Sequence, residues 1–136
     1  MRYLGLDLGS RTLGVAVSDK TGLIASNYKT IRHNEEYERL LGEVKNLVDE
    51  LEIEAIVLGF PKNMNNTVGP KGELSLAFKN RLEEILEIPV YLQDERLSTK
   101  SATDMLIQGN VSRKNRKKVV DSVAATIILQ TYLDGR

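Results

Sequence analysis

The sequence contains no cysteine and a single histidine, His33, among its 136 residues. Without cysteine there is no disulfide framework and no thiolate metal site, and one histidine leaves no His-rich zinc site and no choice of partner for a Ser-His-Asp triad. A metal site in this chain must therefore be built from carboxylates, which favour Mg²⁺ or Mn²⁺. Tryptophan is absent, with two phenylalanines and five tyrosines, which argues against the aromatic platforms on which nucleic-acid bases stack. No stretch approaches the ~20 apolar residues of a membrane span, and the N-terminus lacks a signal-peptide pattern. Net charge is lacking too: 19 basic residues balance 19 acidic ones, so no global field marks a nucleic-acid binder. These absences predict a soluble cytoplasmic protein with no membrane association. The length predicts one domain over residues 1–136, and a hydrophobic content of 41% suffices for a single core.

What is present begins with Gly5 to Asp19, GLDLGSRTLGVAVSD, where one carboxylate, Asp7, interrupts an apolar run. The pattern predicts a strand over 2–8, a tight turn, and a returning strand over 12–19. An ionised Asp in a buried strand is costly unless paired or bound to a cation, whereas an Asp that merely caps the turn near Gly9 needs no function. A third strand is expected over 23–31. Asn34 is placed to cap a helix over 35–52, with Glu35 and Glu36 in its first turn and apolar residues from Tyr37 to Leu51 at helical spacing. Ala55 to Phe60 is apolar throughout and predicts a buried parallel strand. A loop over 61–72 follows, then a helix lined by Leu74, Phe78, Leu82 and Ile85, a strand over 89–93, a helix from Ser98 to Gly109, and a last helix from about Lys117 to Leu133. This order predicts an α/β, three-layer fold: a mixed five-stranded sheet, antiparallel early and parallel late, flanked by helices.

Two further acidic positions stand out. Asp94 and Glu95 follow a short strand, where ligand sites gather in open α/β sheets, although a polar loop with Arg96 as an ion-pair partner would look the same. Asp121 precedes an uncharged run, SVAATIILQTYL, which predicts a helix buried nearly all round. A place in the first helical turn would suit the dipole, but an acid among Val119, Val120 and Val123 is less easily explained, and Ala124 and Ala125 are small enough to let something approach. Asp7, Glu95 and Asp121 together would suit Mg²⁺, and a pair of such ions activates a water for phosphodiester cleavage. Between Met105 and Val120 there is no acid, and Arg113, Lys114, Arg116, Lys117 and Lys118 crowd together. Clustered like charge calls for a counter-ion, and a phosphate backbone supplies one. Arg11, Lys62, Lys71 and Arg96, in loops near strand ends, would extend the patch, although a solvated loop has the same composition.

Four stretches, GLDLGSRTLGVAVSD, GFPKNMNNTVGP, DERLST and RKNRKKVVDSVAATIILQTYL, resemble in order those of the YqgF (RuvX-like) family, over nearly the whole chain. The resemblance implies a ribonuclease H-like fold. It implies a metal-dependent nuclease, an endonuclease hydrolysing phosphodiesters, that either processes the 5′ end of precursor 16S ribosomal RNA or resolves Holliday junctions. Carried over by motif, Asp7, Glu95 and Asp121 are the catalytic, metal-binding acids, although Asp94 and Glu95 are adjacent and either would be placed to face the metal. Arg11, Lys62, Arg96, Arg113, Lys114, Arg116 and Lys117 are the expected substrate contacts. Phe60 stands where the family usually has Leu, a difference expected to affect packing only. Structured nucleic acid, an rRNA precursor ahead of a DNA junction, is the expected partner, with association with a ribosomal subunit and a monomeric state. A sugar-kinase-like phosphoryl transferase would need a second such domain closing on ATP, and a non-catalytic nucleic-acid-binding module gains nothing from three acids in its cleft.

Overall fold

The structure is a computed structural model that describes residues 1–61, 68–94 and 113–135, of residues 113–122 the helical backbone only. Its elements are β1 (Tyr3–Leu8), β2 (Thr12–Ser18), β3 (Ala25–Arg32), α1 (Tyr37–Leu51), β4 (Ala55–Phe60), α2 (Pro70–Ile85), β5 (Val90–Asp94) and α3 (Arg113–Asp134). The helix expected over 98–109 lies outside the described residues. The five strands form one sheet in the order β3-β2-β1-β4-β5. β1, β2 and β3 pair antiparallel, and β4 pairs parallel with both β1 and β5, as the hairpin signal and the later strand-helix alternation predict.

Strand alternation sends successive side chains to opposite faces. Leu4, Leu6, Leu13, Val15, Ile56, Leu58 and Val90 pack with α1 and α2 through Leu40, Val44, Leu47, Phe78 and Leu82. Tyr3, Ala16, Ala55 and Val57 face α3, through Ala125, Ile128, Leu129 and Leu133. The sheet is thus the middle of three layers. The α3 face is floored by small residues. A Cβ on Gly5 would lie 2.7 Å from the Leu129 Cβ and 3.1 Å from the Ala125 carbonyl oxygen, so the glycine is what lets the helix backbone approach the strand. What comes close to Ala125 is the sheet, through Gly5. Phe60 packs beside Gly72, where an added Cβ would meet its ring at 3.2 Å, so the difference from Leu is felt in the packing of β4 on α2.

Several boundaries differ from expectation. α1 begins at Tyr37, and Glu36, which makes no side-chain capping bond, is its N-cap in place of Asn34. The reason is local: Glu35 adopts φ of 60°, left-handed backbone that cannot continue a right-handed helix. α2 takes the end of the expected 61–72 loop, with Pro70 in its first turn, where a missing N–H costs nothing. Ile85, expected to line α2, is exposed. α3 starts at Arg113 rather than about Lys117; over residues 123–133 it is covered on most sides, with Ala124, Ala125, Ile128, Leu129 and Leu133 buried and only Thr131 of that run exposed.

Candidate active site

Because β1, β4 and β5 are parallel, their carboxyl ends share one edge of the sheet, and the β1–β2 turn lies on the same edge. Asp7 is half-buried near that end of β1, on the parity of Tyr3 and Gly5, and so on the α3 face. It pairs in register with Gly14 of β2. On the other side Gly59 follows Leu58, which pairs with Leu6. Neither of these neighbours has a side chain. Asp7 thus lies near the carboxyl end of β1, where the strand order reverses between β1 and β4, the place at which open α/β sheets bind ligands.

α3 runs antiparallel to β1: the rings of Tyr132 and Tyr3 have centroids 5.8 Å apart, and Ala125 and Leu129 cover Gly5. Position 121 is one turn before Ala125 on the same stripe, in the direction of Asp7. It stands eight residues after the helix start at Arg113, in the third turn, so the dipole explanation of an acid in the first turn does not hold. From Ala125 back to Arg113 the helix runs ~18 Å, whereas β1 continues only ~10 Å from Gly5 to Leu8. The first turns of α3, carrying Arg113, Lys114, Arg116, Lys117 and Lys118, therefore project past the sheet edge at the end where Asp7 lies. The basic segment is helical, where the composition alone admitted a loop.

In β5, Val90 and Leu92 belong to the α1 and α2 core, whereas Tyr91 stacks on Tyr132 of α3, with centroids 5.5 Å apart. Alternation therefore gives Asp94 to the face opposite Asp7. Glu95, Lys62 and Arg96 lie outside the described residues. Among the described residues, no group of three acidic or histidine side chains forms a metal site, and no helix is long and apolar enough to cross a membrane. Lys71, expected in a loop, is exposed in the first turn of α2.

Arg11 is exposed on the β1–β2 turn, and its guanidinium donates to Asn34 Oδ1. Beside it is a residue whose role sequence reasoning missed. His33 is buried, with Nε2 2.9 Å from the Gly9 carbonyl oxygen and Nδ1 accepting the Glu35 N–H at 3.0 Å. Nothing in a lone histidine between a strand and a helix signals this, because its partner Gly9 is 24 residues away.

An antiparallel hairpin continued by parallel strands, with helices on both faces and an acid on the first strand, defines a ribonuclease H-like domain. It aligns with Thermus thermophilus RuvC in complex with a Holliday junction substrate at a TM-score of 0.63 and 18% identity, covering 100% of this chain and 95% of that one. It aligns with the Fowlpox virus Holliday junction resolvase at 0.62 and 14%, covering 99% of each. At these identities the likeness concerns the fold alone. The sequence carries the relationship further: the family described as "RuvX: Holliday junction resolvase" matches residues 1–135, and the chain belongs to it. Proteins named "Putative pre-16S rRNA nuclease" from Bacillus subtilis (strain 168) and Geobacillus sp. (strain WCH70) are each 54% identical to it, over 136 and 137 residues. The matches cover 99% of each relative, and 99% and 100% of this chain respectively.

Proposed function

We propose that the chain is a divalent-metal-dependent endonuclease that processes the 5′ end of precursor 16S rRNA. The observation that carries this reading is the position of Asp7: a half-buried carboxylate between two glycines at the carboxyl edge, on the face toward which helix position 121 approaches. The names of the relatives at 54% identity support the substrate class.

The donor set fits a hard cation. Asp7, Asp121 and Glu95 are oxygen donors, Asp7 pairs in register with a glycine, Gly14, and there is no cysteine to favour a softer ion. The assignment of Asp94 to the other face supports Glu95 as the third acid. Bound there, Mg²⁺ or Mn²⁺ supplies Lewis-acid polarisation of a phosphoryl oxygen and a more acidic water. The chain supplies position. Asp7 is fixed by its strand register, and Asp121 by the packing of the next turn of α3 on Gly5. Arg113, Lys114, Arg116 and Lys117, with Arg11, Lys62 and Arg96, hold the phosphate backbone. Such contacts orient the duplex and read shape rather than sequence. The chain acts as one domain, as a monomer in the cytoplasm, on RNA associated with a ribosomal subunit.

A cleavage assay on a precursor 16S rRNA 5′ fragment and on a four-way DNA junction, each with and without Mg²⁺, tests the proposal. Metal-dependent cutting of the RNA is expected. Symmetric nicking of the junction with no cutting of RNA would move the function to junction resolution, in keeping with the family description.

A further inference from the structure

We propose that His33 is a positioning residue for the substrate-binding turn between β1 and β2, holding Arg11 at the edge where Asp7 lies; this rests on the reading of Arg11 as a phosphate contact.

The turn from Gly9 to Thr12 is closed by the Gly9 N–H donating to the Thr12 carbonyl at 2.8 Å. It is then tied to the β3–α1 junction at successive points. The His33 N–H donates to the Arg11 carbonyl at 2.9 Å, the His33 ring reaches the Gly9 carbonyl, and Asn34 accepts from the Arg11 guanidinium. The Glu35 N–H makes Nδ1 an acceptor, so the ring proton is on Nε2 and is donated to Gly9. Both ring nitrogens are thereby used, and the tilted Tyr37 ring, its centroid 5.6 Å away, packs on the imidazole from α1.

Glu35 takes left-handed backbone at φ of 60°, a conformation disfavoured for a non-glycine residue because its Cβ crowds the following carbonyl oxygen. That same backbone presents its N–H to His33. The strain displaces Asn34 from the helix cap and frees its side chain for Arg11. Two polar side chains are thus diverted from ordinary local roles to hold one turn, and the only exposed cation on that turn is Arg11.

The two ring contacts can be separated by substitution. In His33→Gln the amide nitrogen replaces Nε2 and keeps the bond to Gly9; in His33→Asn only the contact with Glu35 is within reach. Amide hydrogen exchange of the unliganded protein and salt-dependent binding of a hairpin RNA are measured for both, for Arg11→Ala, and for Arg11→Ala combined with His33→Asn. The expected result is faster exchange at the His33 and Gly9 amides in His33→Asn but not in His33→Gln. His33→Asn and Arg11→Ala should each lower the salt slope by roughly one unit, with the double variant no weaker than Arg11→Ala. Unchanged exchange in His33→Asn, failure of His33→Gln to restore binding, or additive losses in the double variant would overturn the assignment. Absence of nucleic-acid binding by the unsubstituted protein would instead count against the nuclease reading, and the exchange measurements would still decide whether His33 holds the turn.

Discussion

Gly5 and Asp7 are two residues apart on one face of β1, and each answers a different demand. Gly5 exists for packing. Replacing it with Ala drives a Cβ to within 2.7 Å of the Leu129 Cβ, a backbone-anchored atom that cannot rotate away. Gly5→Ala is expected to destabilise the fold by about 1–3 kcal/mol, read as a lowered denaturation midpoint, and an unchanged midpoint would show that α3 can lift at no cost. Asp7 is the proposed metal ligand. Asp7→Asn keeps the shape of the side chain, so the melting temperature without metal should hold or rise as repulsion among the acids is relieved. Mg²⁺-dependent cleavage should fall by at least roughly 100-fold, the upper end of what removing even a group that only orients a metal ligand costs. Cleavage by Asp7→Asn at the unsubstituted rate would rule out the metal site.

At the scale of elements, the β2–β3 connection and α3 are joined at one end of the sheet. Gln130 accepts the Ala25 N–H at 2.8 Å and donates to the Leu23 carbonyl at 2.9 Å. The loop itself is organised by Asp19, whose carboxylate accepts from the Thr21 hydroxyl at 2.6 Å and from the Leu23 and Ile24 N–H groups at 3.0 and 3.2 Å. The Thr21 hydroxyl first, then those backbone donors, hold its pKa below the ordinary 3.8. A carboxylate with a depressed folded-state pKa contributes stability that is complete above the unfolded value and is lost as pH falls through the folded one. Asp19→Ala should therefore be less stable than the parent at neutral pH, with the difference closing only below about pH 4; a difference independent of pH in acid titration would refute this. At the other end of α3, replacing Arg113, Lys114 and Arg116 with Ala should weaken binding to all sequences alike. The salt slope should drop by roughly one unit for each phosphate that the variant leaves unneutralised. An unchanged slope would reduce the segment to a solvated helix end.

For the whole molecule, the apolar stripe of α3 is used against the sheet through Ala125, Ile128, Leu129 and Leu133, and is not available as a dimer face. On the proposed reading, the edge that carries Asp7, with the projecting basic end of α3, supplies one active site per chain. Symmetric cutting of a junction needs two, related by a two-fold axis. The protein is accordingly expected to sediment as a monomer at micromolar concentration while cutting the RNA fragment. A stable dimer that nicks junctions in pairs would favour the resolvase reading.

The sequence by itself determined whatever depends on a repeating local pattern. The apolar alternation of the first two strands, the unbroken run of Ala55 to Phe60 and the helical spacing from Tyr37 to Leu51 each encode a periodicity and a buried face, and the structure has them as read. The four motifs likewise placed the chain in its family. Tertiary structure decided what depends on distant partners. Asn34 has the chemistry of a helix cap, but Arg11 claims its side chain and His33 claims the next N–H, so α1 starts later. Asp121 reads as a first-turn acid until the helix is seen to begin at Arg113. Asp94 and Glu95 are neighbours in sequence, and only the packing of Val90 and Leu92 against α1 and α2 assigns Asp94 to the face away from Asp7. A pattern of spacing specifies which residues share a face; which face meets which partner follows from chain closure across tens of residues, and that is decided when the sheet is sandwiched between its helices.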